Sequence, residues 1–148
     1  MKLALPVTLA LAAATLSLPA IAQFQKPDDA IKYRKASFTV MANHFGRLGA
    51  MAQGKAPFDA KIAAENAAIV KTMAALPWAA FVPESDLGET KAKPEIWTER
   101  AKFDKASQDL QAAVDKLNSS TGNLDQLKAA FGETAKTCKA CHDAYREK

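Results

Sequence analysis

Both cysteines of the 148-residue chain and one of its two histidines fall within five consecutive positions, Cys138-Lys139-Ala140-Cys141-His142. Placed at random, this arrangement arises roughly once in five thousand times, so the spacing carries information. Two thiols three residues apart lie on one side of a helical turn, where each can add to one vinyl group of a haem. His142 follows directly, so its imidazole can reach the iron of that haem from one face. The pattern is that of c-type attachment, and it predicts one haem, covalent through Cys138 and Cys141, with His142 as axial ligand. Three other readings use the same residues. A redox dithiol normally opens a helix in a βαβ context, which this chain lacks. A zinc site needs about four ligands, and only three are local. Plain core cysteines leave His142 without a reason.

These residues need a helix to hold them and a core to receive the ring. From about Asn123, Leu124, Leu127, Phe131, Ala135, Cys138, Cys141 and Tyr145 step by three and four, which places the motif on a last helix. Three earlier segments have the same rhythm. The first opens with Pro27, Asp28 and Asp29, suited to a helix N-terminus, and presents Ile31, Arg34, Phe38, Met41, Phe45 and Leu48 before Gly54 and Pro57. The second starts near Asp59 with Ile62, Asn66, Ile69, Met73 and Leu76 and stops at Pro77. The third opens at Pro94-Glu95 with Ile96, Arg100, Phe103, Leu110, Val114 and Leu117, and ends in Asn118-Ser119-Ser120-Thr121-Gly122. The crossover from Pro77 to Lys93 contains Trp78, Phe81 and Val82, expected to pack back on the domain. No segment alternates with period two. The expected fold is all-α, an antiparallel up-down-up-down four-helix bundle.

The other iron face decides what such a haem does. Candidates for it are His44, Met41, Met51, Met73, or no side chain at all. His44 lies about 80° from the centre of its helix stripe at 100° per residue, and reads as a surface or subunit-contact histidine. Met41 lies within the stripe and reads first as a core methionine.

An attachment motif ten residues from the end of a four-helix chain resembles the class II c-type cytochromes, the cytochrome c′ family, itself a known example of the up-down-up-down bundle. The similarity covers Gln23-Phe24, Lys32-Tyr33-Arg34, Ala42-Asn43-His44-Phe45-Gly46-Arg47, Ala75 to Phe81, Pro94-Glu95-Ile96-Trp97 and Cys138 to Arg146. In low-spin members of the family a first-helix methionine completes the coordination. Aligning the Met51-to-Asp59 stretch puts Phe38 at that position, and phenylalanine cannot ligate iron. The resemblance therefore implies a five-coordinate, high-spin haem with Phe38 over the open face. It also implies binding of NO and CO, electron exchange with a redox partner protein, and often a homodimer through the first two helices. Arg34 matches the family arginine that pairs with a haem propionate, Lys35 is its neighbour, and Arg146 matches an arginine beside the proximal face. A propionate would also answer the cost of a charge within Arg34's apolar stripe. The alternative is a low-spin electron carrier with Met41 as sixth ligand. A peroxidase would need distal acid/base groups, whereas the first helix offers Phe38, Met41 and Phe45 there, so no enzymatic activity is expected.

Residues 1–22 read as a cleavable signal peptide: Lys2, an apolar run from Leu3 to Leu18, then Ala20-Ile21-Ala22, with no acidic residue before Asp28. Cleavage after Ala22 leaves residues 23–148 as one bundle domain, exported to the periplasm and without a membrane anchor. Losing Lys2 lowers the formal charge from the full chain's +4 to +3. The 20 basic and 16 acidic residues are interspersed, which gives no basic stripe for nucleic acid.

Overall fold

The computed structural model describes residues 23–148; the expected leader, residues 1–22, lies outside them. Helix α1 spans Pro27–Ala52, with the proline in its first turn beside Asp28 and Asp29. It ends at Gln53, and Gly54 then takes φ 71°, a left-handed conformation that has no Cβ penalty in glycine. Helix α2 spans Ala60–Ala75 and is capped by the Asp59 carboxylate, which accepts from the Ile62 amide at 3.0 Å. After α2, Pro77–Ala80 forms a single 3-10 turn. Helix α5 spans Leu124–Tyr145, capped by the Asn123 side chain, which accepts from the Gln126 amide at 2.9 Å.

The third segment is broken where the periodicity predicted continuity. Helix α3 is one turn, Glu95–Thr98, and helix α4 runs Arg100–Ser119, with Glu99 between them at φ −115°, ψ 40°. The break has a local cause. The Trp97 indole donates to the Val82 carbonyl at 2.9 Å and the Arg100 guanidinium to the Phe81 carbonyl at 3.2 Å, so both side chains serve the crossover. Arg100 thus leaves the core stripe predicted for it and is exposed, paired with Asp104.

Packing runs α1 on α2, α2 on α4, α4 on α5 and α5 on α1, which closes the four-helix bundle. The inward face of α2 is turned about one residue from the expected one. Ala63, Asn66, Ala67, Val70 and Ala74 are buried, while Ile62 is 45% exposed. Alanines let the backbones approach closely, so the small residues, rather than the large apolar ones, mark this interface. Gly49 does the same between α1 and α5: a Cβ there would fall 2.8 Å from the Phe131 ring, itself stacked on Phe45 at 4.4 Å.

Two clusters form the interior. One joins Met41, Leu48, Val70, Leu110, Val114 and Leu127 across the long helices; the other joins Phe81, Ile96, Phe103 and Tyr145 beneath the crossover. As expected, the crossover aromatics fold back: Trp78 donates to the Ala74 carbonyl at 2.6 Å, and its ring lies 5.7 Å from Phe103. The C-terminal segment pairs with the crossover through an antiparallel bridge between Ala92 and Arg146. There the Lys93 amide donates to Tyr145 O at 3.0 Å and the Glu147 amide to Lys91 O at 2.8 Å. No described helix is long and apolar enough to cross a membrane.

Candidate functional site

Along α5, Thr134, Cys138, Cys141 and Tyr145 recur at three and four residues, and all four line one cavity of about 870 Å³. That volume lies within the range of small-molecule and cofactor pockets. The cavity opens where the two interior clusters meet, with Val70, Leu110 and Val114 from one and Phe81, Ile96 and Phe103 from the other. His142 also lines it. Cys138, Cys141 and His142 therefore reach one space, the arrangement that the sequence spacing requires.

The chemistry of this donor set separates the readings. Both thiols are free and half-buried. Burial pushes the Cys138 thiol up from its ordinary value; burial, and then the neighbouring Cys138, push the Cys141 thiol up to about 11. A redox dithiol needs the opposite, a stabilised thiolate at a helix N-terminus, yet these cysteines lie in the last third of α5. Burial, followed by the Arg146 charge, holds His142 below its ordinary value, with Asp143 opposing. Neutral imidazole is the form that binds a metal. Among the described residues no group of three His, Cys, Asp or Glu side chains is arranged to hold a bare metal ion. Two neutral thiols and a neutral imidazole on a large apolar cavity fit a haem.

On the α1 side, Phe38, Met41 and Phe45 line the same cavity. Phe38 stands edge-on to Trp78, with ring centroids 5.8 Å apart at 81°. Met41 is 8% exposed within the bundle core. Met51 and Met73 belong to the bundle core away from the cavity wall. His44 also stays off the wall. Its ring nitrogen lies 2.8 Å from Oδ1 of the buried Asn66 on α2, so it is half-buried and partnered within its own chain, where the sequence pointed to a surface or subunit-contact histidine.

Arg34 is 2% exposed and lines the cavity, and its burial has a simple explanation. The guanidinium donates to Ala80 O (3.0 Å), Ser85 Oγ (2.7 Å), Ser85 O (2.6 Å) and Thr90 Oγ1 (2.9 Å), and stacks over Phe81 at 4.5 Å. Loop oxygens alone therefore solvate the charge, and the stripe position needs no propionate to account for it. Burial pushes its pKa down to about 10, so it stays charged at neutral pH. Lys35 is exposed, lines the cavity mouth and donates to the Glu89 carbonyl at 3.1 Å. Arg146, just past the end of α5, lines the cavity as well.

Helical spacing does not distinguish a cavity wall from an ordinary core, so Trp78, Phe103 and Thr134 carry no site signal in the sequence. Ser85, Thr90 and Ala92 are likewise silent there, because only the folded crossover brings them to Arg34 and Arg146. The Thr134 hydroxyl is already committed, to Ala130 O at 2.9 Å and Ala113 O at 3.2 Å.

Comparison with known proteins identifies the family. Residues 29–146 match the family described as Cytochrome C'. Cytochrome c' from Rubrivivax gelatinosus is 57% identical over 129 residues, covering 85% of this chain and all of the relative. The crystal structure of that organism's cytochrome c' superposes with a TM-score of 0.82 at 56% identity, over 84% of this chain and 100% of the other. A nitric oxide complex of a cytochrome c prime variant from Alcaligenes xylosoxidans gives a TM-score of 0.80 at 47% identity, over 85% and 99%. On these matches the chain belongs to the cytochrome c′ family of c-type haem proteins.

Proposed function

We propose that the protein is a periplasmic c-type haem protein with a high-spin, five-coordinate haem that serves electron transfer, binding of NO and CO, or both, with one haem c held by thioethers at Cys138 and Cys141 and by His142. The observation that carries this reading is that both thiols and the imidazole open onto one apolar cavity whose lining also includes Phe38 of α1. The nitric oxide complex of the Alcaligenes xylosoxidans relative supports the gas-binding half. Bound haem supplies a redox-active iron and a coordination position for a diatomic gas. The chain's residues decide how accessible that position is. Phe38, on the cavity lining, would present a hydrocarbon ring to that position and no hydrogen-bond donor, so O2 would gain little there. CO and NO do not depend on such a donor. Phe38, Met41 and Phe45 include no acid or base, which supports a carrier rather than a peroxidase. Val40 and Ile62, 41% and 45% exposed on α1 and α2, are the apolar side chains available to a homodimer through those helices.

Attachment is tested by replacing Cys138 and Cys141 together with alanine. Acid acetone is expected to extract the haem from the double variant and leave it on the native protein; covalent haem retained by the variant contradicts the assignment. Because Met41 lines the cavity, a six-coordinate reading with Met41 as ligand has a direct test of its own. On the five-coordinate reading, Met41→Leu leaves the spin state of the reduced protein unchanged; conversion from low to high spin in the variant would establish Met41 as the ligand.

A further inference from the structure

Next to the cavity lies a second groove of about 750 Å³ between the crossover and the C-terminal segment, which shares Lys91, His142 and Arg146 with the cavity. Its cations are Lys91, Lys93, Arg146 and Lys148; its anionic groups are Asp143, Glu147 and the terminal carboxylate of Lys148. None of the four cations forms an ion pair with a side-chain carboxylate. Lys91 donates to the terminal carboxylate of Lys148 at 3.1 Å, and Lys93 reaches the main-chain oxygen of Asp143 at 3.4 Å. Asp143 is already engaged by Lys139 and the terminal carboxylate by Lys91, so one uncommitted carboxylate, Glu147, faces the three cations Lys93, Arg146 and Lys148. Elsewhere the exposed cations of the helices largely sit beside acids three or four residues away, as in Lys61–Glu65, Lys105–Asp109 and Lys136–Glu133. The groove charges are also fixed in place. The Ala92–Arg146 bridge, with its amide bonds at 2.8 and 3.0 Å, holds two sequence-distant basic segments side by side.

We infer that this groove is the docking surface for an acidic protein, which places that partner against the His142 end of the cavity. A concentrated charge on one face steers and orients an oppositely charged partner and is screened by salt. The groove is concave, so it admits a protruding Asp or Glu side chain, whereas an anionic bilayer would meet only its rim. The inference rests on the haem reading of the neighbouring cavity. The visible spectrum of each sample reports that reading separately, and a docking failure leaves it intact.

The test measures binding of a fluorophore-labelled octaglutamate peptide to the holoprotein by anisotropy at low salt. Two charge-matched double variants are compared with the native protein. One is Lys91→Glu with Lys93→Glu; the other is Lys55→Glu with Lys128→Glu, at the end of the bundle away from the crossover. The groove variant is expected to bind at least tenfold more weakly, the control variant within twofold of native, and 0.5 M sodium chloride to abolish binding. Equal weakening in both variants would show that net charge alone drives binding, and would overturn the proposal. So would unchanged binding in the groove variant. Preferential binding to phosphatidylglycerol vesicles over the peptide, lost in the groove variant, would assign the surface to a membrane instead.

Discussion

On the proposed reading Phe38 is the residue through which the protein controls its ligands; with Phe45 it is one of two α1 rings lining the cavity onto which Cys138, Cys141 and His142 open. Its ring is held by the edge-on contact with Trp78, which lines the same cavity, so on that reading a ligand would have to displace a packed aromatic. Removing the ring should lower the barrier to entry. Phe38→Ala is expected to raise the CO association rate of the reduced protein roughly tenfold, which corresponds to about 1.4 kcal/mol. Flash photolysis checks this, and an unchanged rate would mean that the ring does not guard the iron. At this scale the sequence was most legible where chemistry is local. Cys138, Cys141 and His142 are neighbours in the chain, so one helix positions all three. Arg34 shows the opposite case: its partners Ala80, Ser85 and Thr90 lie 46 to 56 residues away, and nothing in its own stripe could reveal them.

The crossover is the element that finishes the cavity, supplying Trp78, Phe81 and the Gly88–Ala92 wall, and Arg34 is what ties it to α1. Arg34→Lys keeps a charge but loses the planar fork that reaches four acceptors. Chemical unfolding of the variant is expected to show a loss on the order of 3 kcal/mol, since buried acceptors would be left unpaired. The same loop stores some strain at Glu84, which follows Pro83 at φ 64° in a turn closed by Ser85 N–H to Val82 O at 3.3 Å. Glycine adopts that conformation freely, so Glu84→Gly is expected to stabilise the fold by about 1 kcal/mol. A lowered melting temperature would contradict it. Helix ends were readable from Pro27, Asp59, Asn123 and Gly54, because caps and left-handed turns demand particular side chains. The face of α2 was not, because an alanine interface has no large residues to betray it. The break at Glu99 was also hidden, since it answers to the crossover and not to the helix.

As a whole, the molecule is a bundle held by its apolar interior, with charge arranged for the outside. All eight ion pairs among the described residues are exposed, most at three- or four-residue spacing on one helix, and such pairs contribute little. Raising sodium chloride from 0.05 to 0.5 M, roughly a threefold drop in screening length, is therefore expected to change unfolding stability by less than about 1 kcal/mol. Calorimetry of the holoprotein checks this, and a larger loss would mean that electrostatics holds the bundle. The four-helix architecture followed from periodicity and short connections, but the cavity did not, because it lies between two clusters that spacing alone reads as one core. The central claim concerns the face of the iron opposite His142, and one absorption spectrum of the reduced protein, taken with and without CO, tests it most directly. A five-coordinate, high-spin spectrum that shifts on adding CO is the predicted result. A low-spin, six-coordinate spectrum indifferent to CO would contradict the account and place a side chain, Met41 first among them, on that face.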